Sequence, residues 1–244
     1  MQKPTLVLVH GYLGSSLQWR QQVDFFSDSF WVITPDLPGF GLNSTLESPE
    51  TIRGYAMYVL GLLDKAGIHS FHLLGHSMGG MIAQEIVSCV ADRVDKLILY
   101  GTGACGKMPG RFETIQVSKT RLNTHGVRHC ARRICASWFV HGVDSPAYYD
   151  TLRIAEQTSL HAAIAGLMAI EQWCGRDQLE KIKSKTMILW GQGDQSYRWA
   201  TTKELHDKIT GATLCQVAAC SHAVHLENPQ LFNSMVLTFL NTVA

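Results

Sequence analysis

The chain has 244 residues, of which 46% are hydrophobic, enough for one large domain with a substantial core and too apolar for a disordered protein. Basic and acidic residues nearly balance at 21 and 20, so the formal net charge is +1 and no surface for nucleic acid or anionic lipid is indicated. The seven cysteines lack the paired short spacings of a zinc site, so we interpret them as reduced thiols and expect no metal.

The chain enters an apolar run almost at once, without the pattern of a secretory leader. No apolar stretch approaches the roughly 18 residues that a membrane-spanning helix needs. We therefore expect a cytoplasmic protein that binds neither membrane nor nucleic acid and whose partner is a small molecule. The oligomeric state is left open.

Six short runs rich in Val, Ile and Leu recur along the chain, and each is apolar on both faces, as parallel strands buried on both sides are. They cover residues 5–9, 30–34, 71–74, 97–100, 186–190 and 213–217. Helical periodicity separates them, over residues 18–27, 51–66, 80–91, 201–209 and 229–241. The alternation predicts a three-layer α/β sandwich with a mostly parallel sheet, whose chemistry gathers at the carboxyl ends of the strands.

This alternation stops between about residues 102 and 185, where helical patterns follow one another without a strand. They cover residues 112–124, 127–139, 146–157 and 160–173. We interpret this segment as an all-helical cap over the ends of the strands. The predicted division is a core in two parts, residues 1–109 and 179–244, and a cap insertion at residues 110–178.

The sequence Gly-His-Ser-Met-Gly at residues 75–79 stands between an apolar strand and a helical pattern. Glycines two positions before and after Ser77 suit a sharp turn that passes too close to its neighbours for side chains. Such a turn exposes the serine hydroxyl at the end of the strand, beside the free N–H groups of the next helix. We predict that Ser77 is a nucleophile rather than part of an ordinary glycine-rich turn.

A serine nucleophile needs a base to remove its proton and an acid to orient that base. Asp194 follows the fifth run, whereas the loop after the fourth run, residues 101–106, has no acid. Two histidines compete in the last loop; His222, the first after the sixth run, is the predicted base, and His225 is assigned to packing or pocket lining. The order Ser77, Asp194, His222 is the hydrolase order for this type of turn.

Acyl transfer also needs N–H donors for the oxyanion that forms on the carbonyl. The backbone N–H of Met78 is predicted as one donor and that of Tyr12, after the first run, as the second.

Residues 101–106 match the Gly-x-Gly-x-x-Gly pattern of dinucleotide sites. No helix pattern begins there and no acid lies between Glu113 and Asp144, so we interpret the match as a loop leading into the cap.

The cap and its aromatic residues suggest an apolar substrate pocket. The predicted lining combines cap residues with residues of the core below them. These are Trp138, Phe139, Met168 and Trp173 in the cap, and Phe40, Met81 and His225 in the core.

Taken together, these motifs resemble the α/β-hydrolase fold family. The matching segments are residues 10–11, 35–41, 75–80 and 191–194, then His222 with residues 227–229. They occur in family order over nearly the whole chain outside the cap. The resemblance implies a catalytic triad, a helical cap between the family's sixth and seventh strands, and no cofactor. The family's first two strands have no room before Thr5, so about six strands are expected; Ser221 also stands where the family commonly has Gly.

We therefore predict a serine hydrolase, a carboxylesterase for small to medium apolar esters that forms an acyl-enzyme on Ser77. Three alternatives stay open: a carbon–carbon bond hydrolase of ring-fission products, a lactonase, and a ligand sensor with slow hydrolysis. The patterns do not identify the natural substrate.

Overall fold

The computed structural model describes residues 3–108 and 113–242. Its centre is a six-stranded sheet in the order β2-β1-β3-β4-β5-β6, with every neighbouring pair parallel. The strands are β1 (Thr5–Val9), β2 (Trp31–Ile33), β3 (Phe71–His76), β4 (Val94–Tyr100), β5 (Lys185–Gly191) and β6 (Thr213–Val217). The predicted three-layer fold and its six strands are confirmed.

The inner strands are apolar on both faces because helices cover both sides of the sheet. In β1, Leu6 and Leu8 pack in one hydrophobic cluster and Val7 and Val9 in the other. Successive side chains of a strand point to opposite faces, so one strand contributes side chains to both hydrophobic clusters. This explains why the runs show no alternation between apolar and polar residues.

The helices that flank the sheet overlap the predicted helical runs, except for the short helix Val224–Glu227, which was not predicted. They are α1 (Arg20–Phe26), α2 (Ile52–Lys65), α3 (Met78–Val90), α7 (Trp199–Lys208), α8 (Val224–Glu227) and α9 (Pro229–Leu240). Asn228 caps α9 by accepting a hydrogen bond from the N–H of Leu231, and Pro229 opens that helix. Within the described ranges, no helix is both long and apolar enough to cross a membrane.

In the described part of the segment between β4 and β5 lie three α-helices, α4 (Ile115–Ala136), α5 (Tyr148–Ala155) and α6 (Leu160–Gln172). The two helices predicted on either side of residue 126 meet there at a kink, because Gly126 has a φ of 75°. We keep the name cap for this helical segment. The predicted boundary at residues 109–110, and the predicted helix start at residue 112, lie outside the described residues.

The interpretation of all seven cysteines as reduced thiols is wrong for two of them. Cys105 and Cys174 form a disulfide, with their sulfur atoms 2.03 Å apart. The N–H of Gly106 donates to the carbonyl of Trp173 at 2.9 Å and brings the loop after β4 against the end of α6. The two cysteines are 69 residues apart, so no short spacing in the sequence predicted the disulfide. The free cysteines are Cys89, Cys130, Cys135, Cys215 and Cys220.

Candidate active site

Ser77 lies in the turn between β3 and α3, with the strained backbone angles φ 57° and ψ −119°. Its N–H donates to the carbonyl of Tyr100 at 2.9 Å, and the hydroxyl of Thr102 donates to its carbonyl at 2.8 Å. The end of the neighbouring strand β4 therefore holds the turn on both sides. Ser77 itself is half-exposed and opens toward the cap.

The two glycines around Ser77 are required by close backbone contacts. A Cβ on Gly75 would lie 2.2 Å from the carbonyl oxygen of Gly79, and one on Gly79 would lie 2.3 Å from that of Val9. Real side chains do not tolerate such distances, so any other residue would displace the turn. The spacing of glycines found in the sequence is a steric requirement of this fold.

Asp194 and His222 form a buried pair at the carboxyl ends of the sheet. Nδ1 of His222 is 2.8 Å from Oδ2 of Asp194, and both residues are at most 5% exposed. The other carboxylate oxygen accepts the N–H groups of Ser196 at 2.7 Å and Tyr197 at 3.0 Å. An ionised carboxylate can only accept, so Nδ1 of His222 is the donor and Nε2 keeps a lone pair. This tautomer can act as a base.

The loops that carry the acid and the histidine are packed directly on each other. The hydroxyl of Ser221 donates to the carbonyl of Gly193 at 3.0 Å, and the N–H of Gly193 donates to the carbonyl of Cys220 at 2.8 Å. A Cβ on Gly191 would lie 2.0 Å from the carbonyl oxygen of Ser221. Serine in place of the family's usual glycine thus adds a hydrogen bond between the two loops.

The loop after β1 passes against the serine. A Cβ on Gly11 would lie 2.9 Å from Cβ of Ser77. His10 fixes this loop: its Nε2 accepts the N–H of Leu37 at 3.0 Å, so its Nδ1 carries the proton and donates to the carbonyl of Gly11 at 2.8 Å. Burial lowers the pKa of His10 to about 4, so the ring stays neutral.

Tyr12 and Met78, the predicted oxyanion donors, come from two different elements, the loop after β1 and the start of α3. Met78 is the first residue of α3, and Tyr12 follows Gly11 in the loop after β1. The hydroxyl of Tyr12 donates to the carbonyl of Ala163 at 3.0 Å, which ties this loop to α6 of the cap. The two backbone N–H groups therefore belong to elements that meet at the serine.

A cavity of about 30 Å³ lies between the core loops and the cap. Among the described residues, core and cap each contribute five to its wall, which combines aromatic, aliphatic and hydroxyl side chains. Its lining is Tyr12, Ser77, Ser196, Tyr197 and His222 from the core, and Ser118, Ile134, Trp138, Leu167 and Ile170 from the cap. Among the residues that the structure describes, no Arg or Lys lines this cavity.

Trp138 is the only predicted cap aromatic in that lining; Phe139 is buried elsewhere and Met168 is half-buried on α6. Trp173 is also outside it, because its indole N–H donates to Glu85 at 3.2 Å on the core surface. Aromatic composition alone did not tell which cap side chains face the cavity.

The three core residues predicted for the pocket also lie behind its wall. Phe40 packs edge-on against Tyr12, with ring centroids 6.3 Å apart, and supports a lining residue from outside. Met81 is fully buried in the sheet–helix core. His225 is buried beyond His222, where its ring lies 4.6 Å from that of Trp19.

Sequence reasoning missed six residues of the lining. Two of them, Ser196 and Tyr197, follow Asp194 so closely that their N–H groups cap its carboxylate. That proximity in the chain was a usable signal. The other four come from cap helices and are not adjacent in sequence to any predicted catalytic residue, so no such signal predicted them. They are Ser118, Ile134, Leu167 and Ile170.

A parallel sheet whose strand ends carry a strained serine turn, a carboxylate–histidine pair and a helical cap defines a hydrolase of the α/β class. The chain belongs to the alpha/beta hydrolase fold family, whose pattern it matches over residues 4–229. The predicted family membership is thereby confirmed. In the described part of the chain, no three His, Cys, Asp or Glu side chains are grouped as metal ligands would be.

Curated relatives of similar length are hydrolases of several kinds. The chain is 29% identical to 3-oxoadipate enol-lactonase 2 of Acinetobacter baylyi, over 96% of this chain and 87% of that protein. It is 27% identical to a 2-hydroxy-6-oxononadienedioate/2-hydroxy-6-oxononatrienedioate hydrolase of Pseudomonas putida, over 98% and 88%. The crystal structure of an enol-lactonase from Burkholderia xenovorans superposes with a TM-score of 0.92 at 24% identity, covering 99% and 93% of the two chains. That structural likeness concerns the fold.

Proposed function

We propose that the protein is a serine hydrolase that cleaves small, neutral carboxylic esters through an acyl-enzyme on Ser77. The observation that carries the proposal is the buried 2.8 Å contact between Nδ1 of His222 and Asp194, beside a cavity that Ser77 also lines. The contact leaves Nε2 of His222 as the free basic nitrogen of the site.

In the acylation step, Oγ of Ser77 attacks the ester carbonyl carbon while Nε2 of His222 takes the hydroxyl proton. The carbonyl oxygen becomes an oxyanion, which the backbone N–H groups of Met78 and Tyr12 stabilise. Asp194 compensates the positive charge of the imidazolium. The carbon–oxygen bond to the alcohol then breaks, and His222 returns the proton to the departing alkoxide.

In the deacylation step, a water molecule replaces the alcohol. His222 removes a proton from the water as its oxygen attacks the acyl carbon, and the oxyanion forms again between the same two N–H groups. Collapse of this intermediate breaks the bond to Oγ of Ser77, which recovers its proton from His222. The carboxylic acid leaves, and no external co-reactant besides water is consumed.

The cavity favours a small, uncharged substrate. With a volume of about 30 Å³ it accommodates only a few heavy atoms unless the cap moves. Burying a substrate carboxylate is costly without a cationic partner or several N–H donors, and no Arg or Lys is found among the described lining residues. The two curated relatives are named for an oxoadipate and a nonadienedioate, which are carboxylate compounds. The described part of the wall, which carries no Arg or Lys, therefore supports neutral esters here.

A second candidate is lactone hydrolysis, which the likeness to a 3-oxoadipate enol-lactonase over 96% of this chain favours. A lactone is a cyclic ester, so the same attack by Ser77 opens it without any change in the site. The difference lies in the leaving alcohol, which stays attached to the acyl group. A neutral lactone would meet the same uncharged wall as a neutral ester.

The test is a panel of 4-nitrophenyl esters from acetate to octanoate, together with neutral lactones and a dienoate ring-fission product, assayed with Ser77→Ala beside the parent. We expect kcat/KM to be highest for the shortest acyl chains and Ser77→Ala to lower kcat by about 10⁶-fold. Ser88→Ala is the matched control, because Ser88 is an exposed serine on α3. It should retain full activity.

Other outcomes would contradict the proposal or favour a different function. Turnover that survives Ser77→Ala contradicts the proposal. Dienoate turnover far above ester turnover would favour a carbon–carbon bond hydrolase. Slow, single turnover by folded parent protein, with a ligand-dependent change in hydrogen exchange of the cap, would favour the ligand sensor.

A further inference from the structure

The backbone carbonyl of His222 accepts two hydrogen bonds from buried side chains. Nε2 of His76 lies 3.0 Å from this oxygen, and the hydroxyl of Tyr100 lies 2.9 Å from it. A carbonyl can only accept, so both side chains are donors and Nε2 of His76 carries its proton. Two separate strand ends, those of β3 and β4, thus hold one atom of the residue proposed as the base.

Tyr100 also holds the chain beyond His222. With its proton donated to the carbonyl, the phenol oxygen accepts from the backbone N–H of His225 at 3.3 Å and from Nδ1 of the same residue at 3.0 Å. Residues 222 and 225 are therefore clamped to one hydroxyl. The turn that carries the histidine cannot shift without breaking these bonds.

The three side chains that form this clamp, those of Tyr100, His76 and His225, are uncharged. Burial raises the pKa of Tyr100 well above its ordinary value, so the phenol keeps its proton. Burial, followed by the neighbouring His222 and His225, holds the pKa of His76 well below its ordinary value. Burial and His222 also lower the pKa of His225 to about 3. At neutral pH the hydrogen-bond directions are therefore fixed.

Stacked rings add rigidity to the same cluster. The ring of His76 stacks on Tyr100 with centroids 4.4 Å apart and lies 4.5 Å from the ring of His222. Gly101 follows Tyr100 with a φ of 51°, and a Cβ there would lie 3.2 Å from Nδ1 of His222. The end of β4 forms the floor beneath the pair of His222 and Asp194.

We propose that Tyr100 and His76 are positioning residues, which hold the backbone of His222 so that its ring lies between Asp194 and Ser77. Neither side chain lines the cavity that Ser77 and His222 share. The inference rests on the proposed function, since it concerns the base of that reaction. Its expected effect is on the chemical step and not on substrate binding, because displacement of a catalytic group by about 1 Å can cost about 100-fold in rate.

Tyr100→Phe is the first test, because it removes one oxygen and keeps the stacked ring. We expect kcat for the best ester to fall by about 10- to 100-fold while KM changes less than about twofold. Tyr148→Phe is the matched control: Tyr148 is buried in the cap, and its hydroxyl donates to the carbonyl of Arg132 at 3.2 Å. It should leave kcat unchanged.

A second pair of variants separates positioning from folding. Gln at position 76 places an amide N–H near the original Nε2, whereas Leu offers no donor. His76→Leu should therefore lower kcat at least as much as Tyr100→Phe, and His76→Gln should recover most of it. Circular dichroism and thermal unfolding identify the folded variants. Equal kcat for His76→Leu and His76→Gln would overturn the proposal, as would a Tyr100→Phe enzyme with the parental kcat.

Labelling with a fluorophosphonate reports on the activated serine without any substrate. We expect the parent to be labelled at Ser77 and Tyr100→Phe to be labelled more slowly by the same factor as kcat falls. Equal labelling rates contradict the positioning role and leave the proposed function intact. Absence of Ser77 labelling in the folded parent contradicts the proposed function and the positioning role together.

Discussion

The core loops and the cap both contribute to the cavity wall but are held in different ways. On the core side, the turn at Ser77 and the loops of Asp194 and His222 meet through backbone atoms, as the 2.2 Å and 2.0 Å distances from hypothetical Cβ atoms on Gly75 and Gly191 demonstrate. On the cap side, the end of α6 has one such contact, since a Cβ on Gly106 would lie 1.6 Å from the carbonyl oxygen of Ile170, but Gly126 faces open space and most lining side chains project from α4 and α6.

This difference separates chemistry from selectivity. Backbone contacts over short distances leave the core loops no freedom, which suits groups whose alignment decides a rate. Side chains on packed helices can change size while the helix remains in place, so the cap can vary without disturbing the proposed catalytic residues. Activity should therefore be most sensitive in the core and acyl-chain preference most sensitive in the cap.

After the loss of Ser77 itself, the largest effect is expected at the acid of the core. Asp194→Asn keeps the size of the side chain but replaces an oxygen acceptor facing Nδ1 of His222 by a group that can donate, which favours the wrong tautomer of the ring. We expect kcat to fall by about 10⁴-fold with little change in KM. Steady-state kinetics on the best ester measures it.

The control for that variant is Asp177→Asn, because Asp177 is an exposed acid beyond the cap helices. It should be indistinguishable from the parent. If Asp194→Asn lost less than about tenfold in kcat, the pair with His222 would be structural, and the role assigned to the core loops in this comparison would be wrong.

Lowering the pH should reduce the free energy of unfolding, because histidines of the core are buried. His10 and His225 are buried in the core, whereas His125, His129, His141 and His161 of the cap are exposed. Burial lowers the pKa of His10 to about 4 and that of His225 to about 3, from 6.5 in the unfolded chain. Below pH 6.5 the unfolded chain binds these protons and the folded protein does not.

Because the unfolded chain binds more protons than the folded protein, the free energy of unfolding decreases as the pH falls. The contribution of these two histidines to the free energy of unfolding is fully present above pH 6.5. It decreases as the pH falls toward their pKa values in the folded protein, by about 1.4 kcal/mol per pH unit for each histidine. Between pH 7 and pH 5 the two histidines should cost about 2 kcal/mol each in the free energy of unfolding. Urea unfolding at both pH values measures the change. A free energy independent of pH would contradict the assignment.

The same comparison explains which parts of the molecule could be predicted from sequence. The strands were found because each is a short apolar run, and residues 75–79 because close backbone contacts restrict two of those positions to glycine. The pairing of Asp194 with His222 followed from their places after β5 and β6, since parallel strands end at one edge. Local constraints of this kind leave a mark in the sequence.

Long-range packing leaves no comparable mark. The disulfide joins residues 69 positions apart, and the clamp on His222 depends on Tyr100, which appeared in the sequence as one more apolar residue of a strand. Trp173 was assigned to the pocket by its aromatic character, although its indole donates to Glu85 instead. Which face of a cap helix meets the cavity is decided by how the helices pack.

The smallest predicted effect tests the cap side of the comparison. Ile170 lines the cavity from α6 and is 2% exposed, whereas Ile115, on α4, is 6% exposed and does not line it. Replacing either by Val removes one methylene and should cost about 0.5–1.5 kcal/mol in the free energy of unfolding. Only Ile170→Val also enlarges a cavity of about 30 Å³.

We therefore expect Ile170→Val to improve kcat/KM for the next longer acyl chain relative to the shortest by about tenfold, the value of one methylene in an apolar pocket. Ile115→Val should retain the parental chain-length profile at the same loss of stability. The ratio of kcat/KM values between neighbouring esters measures the shift and cancels differences in active enzyme. Identical profiles for the two variants would mean that this face of the cap does not size the substrate, and selectivity would then belong to the core loops as well.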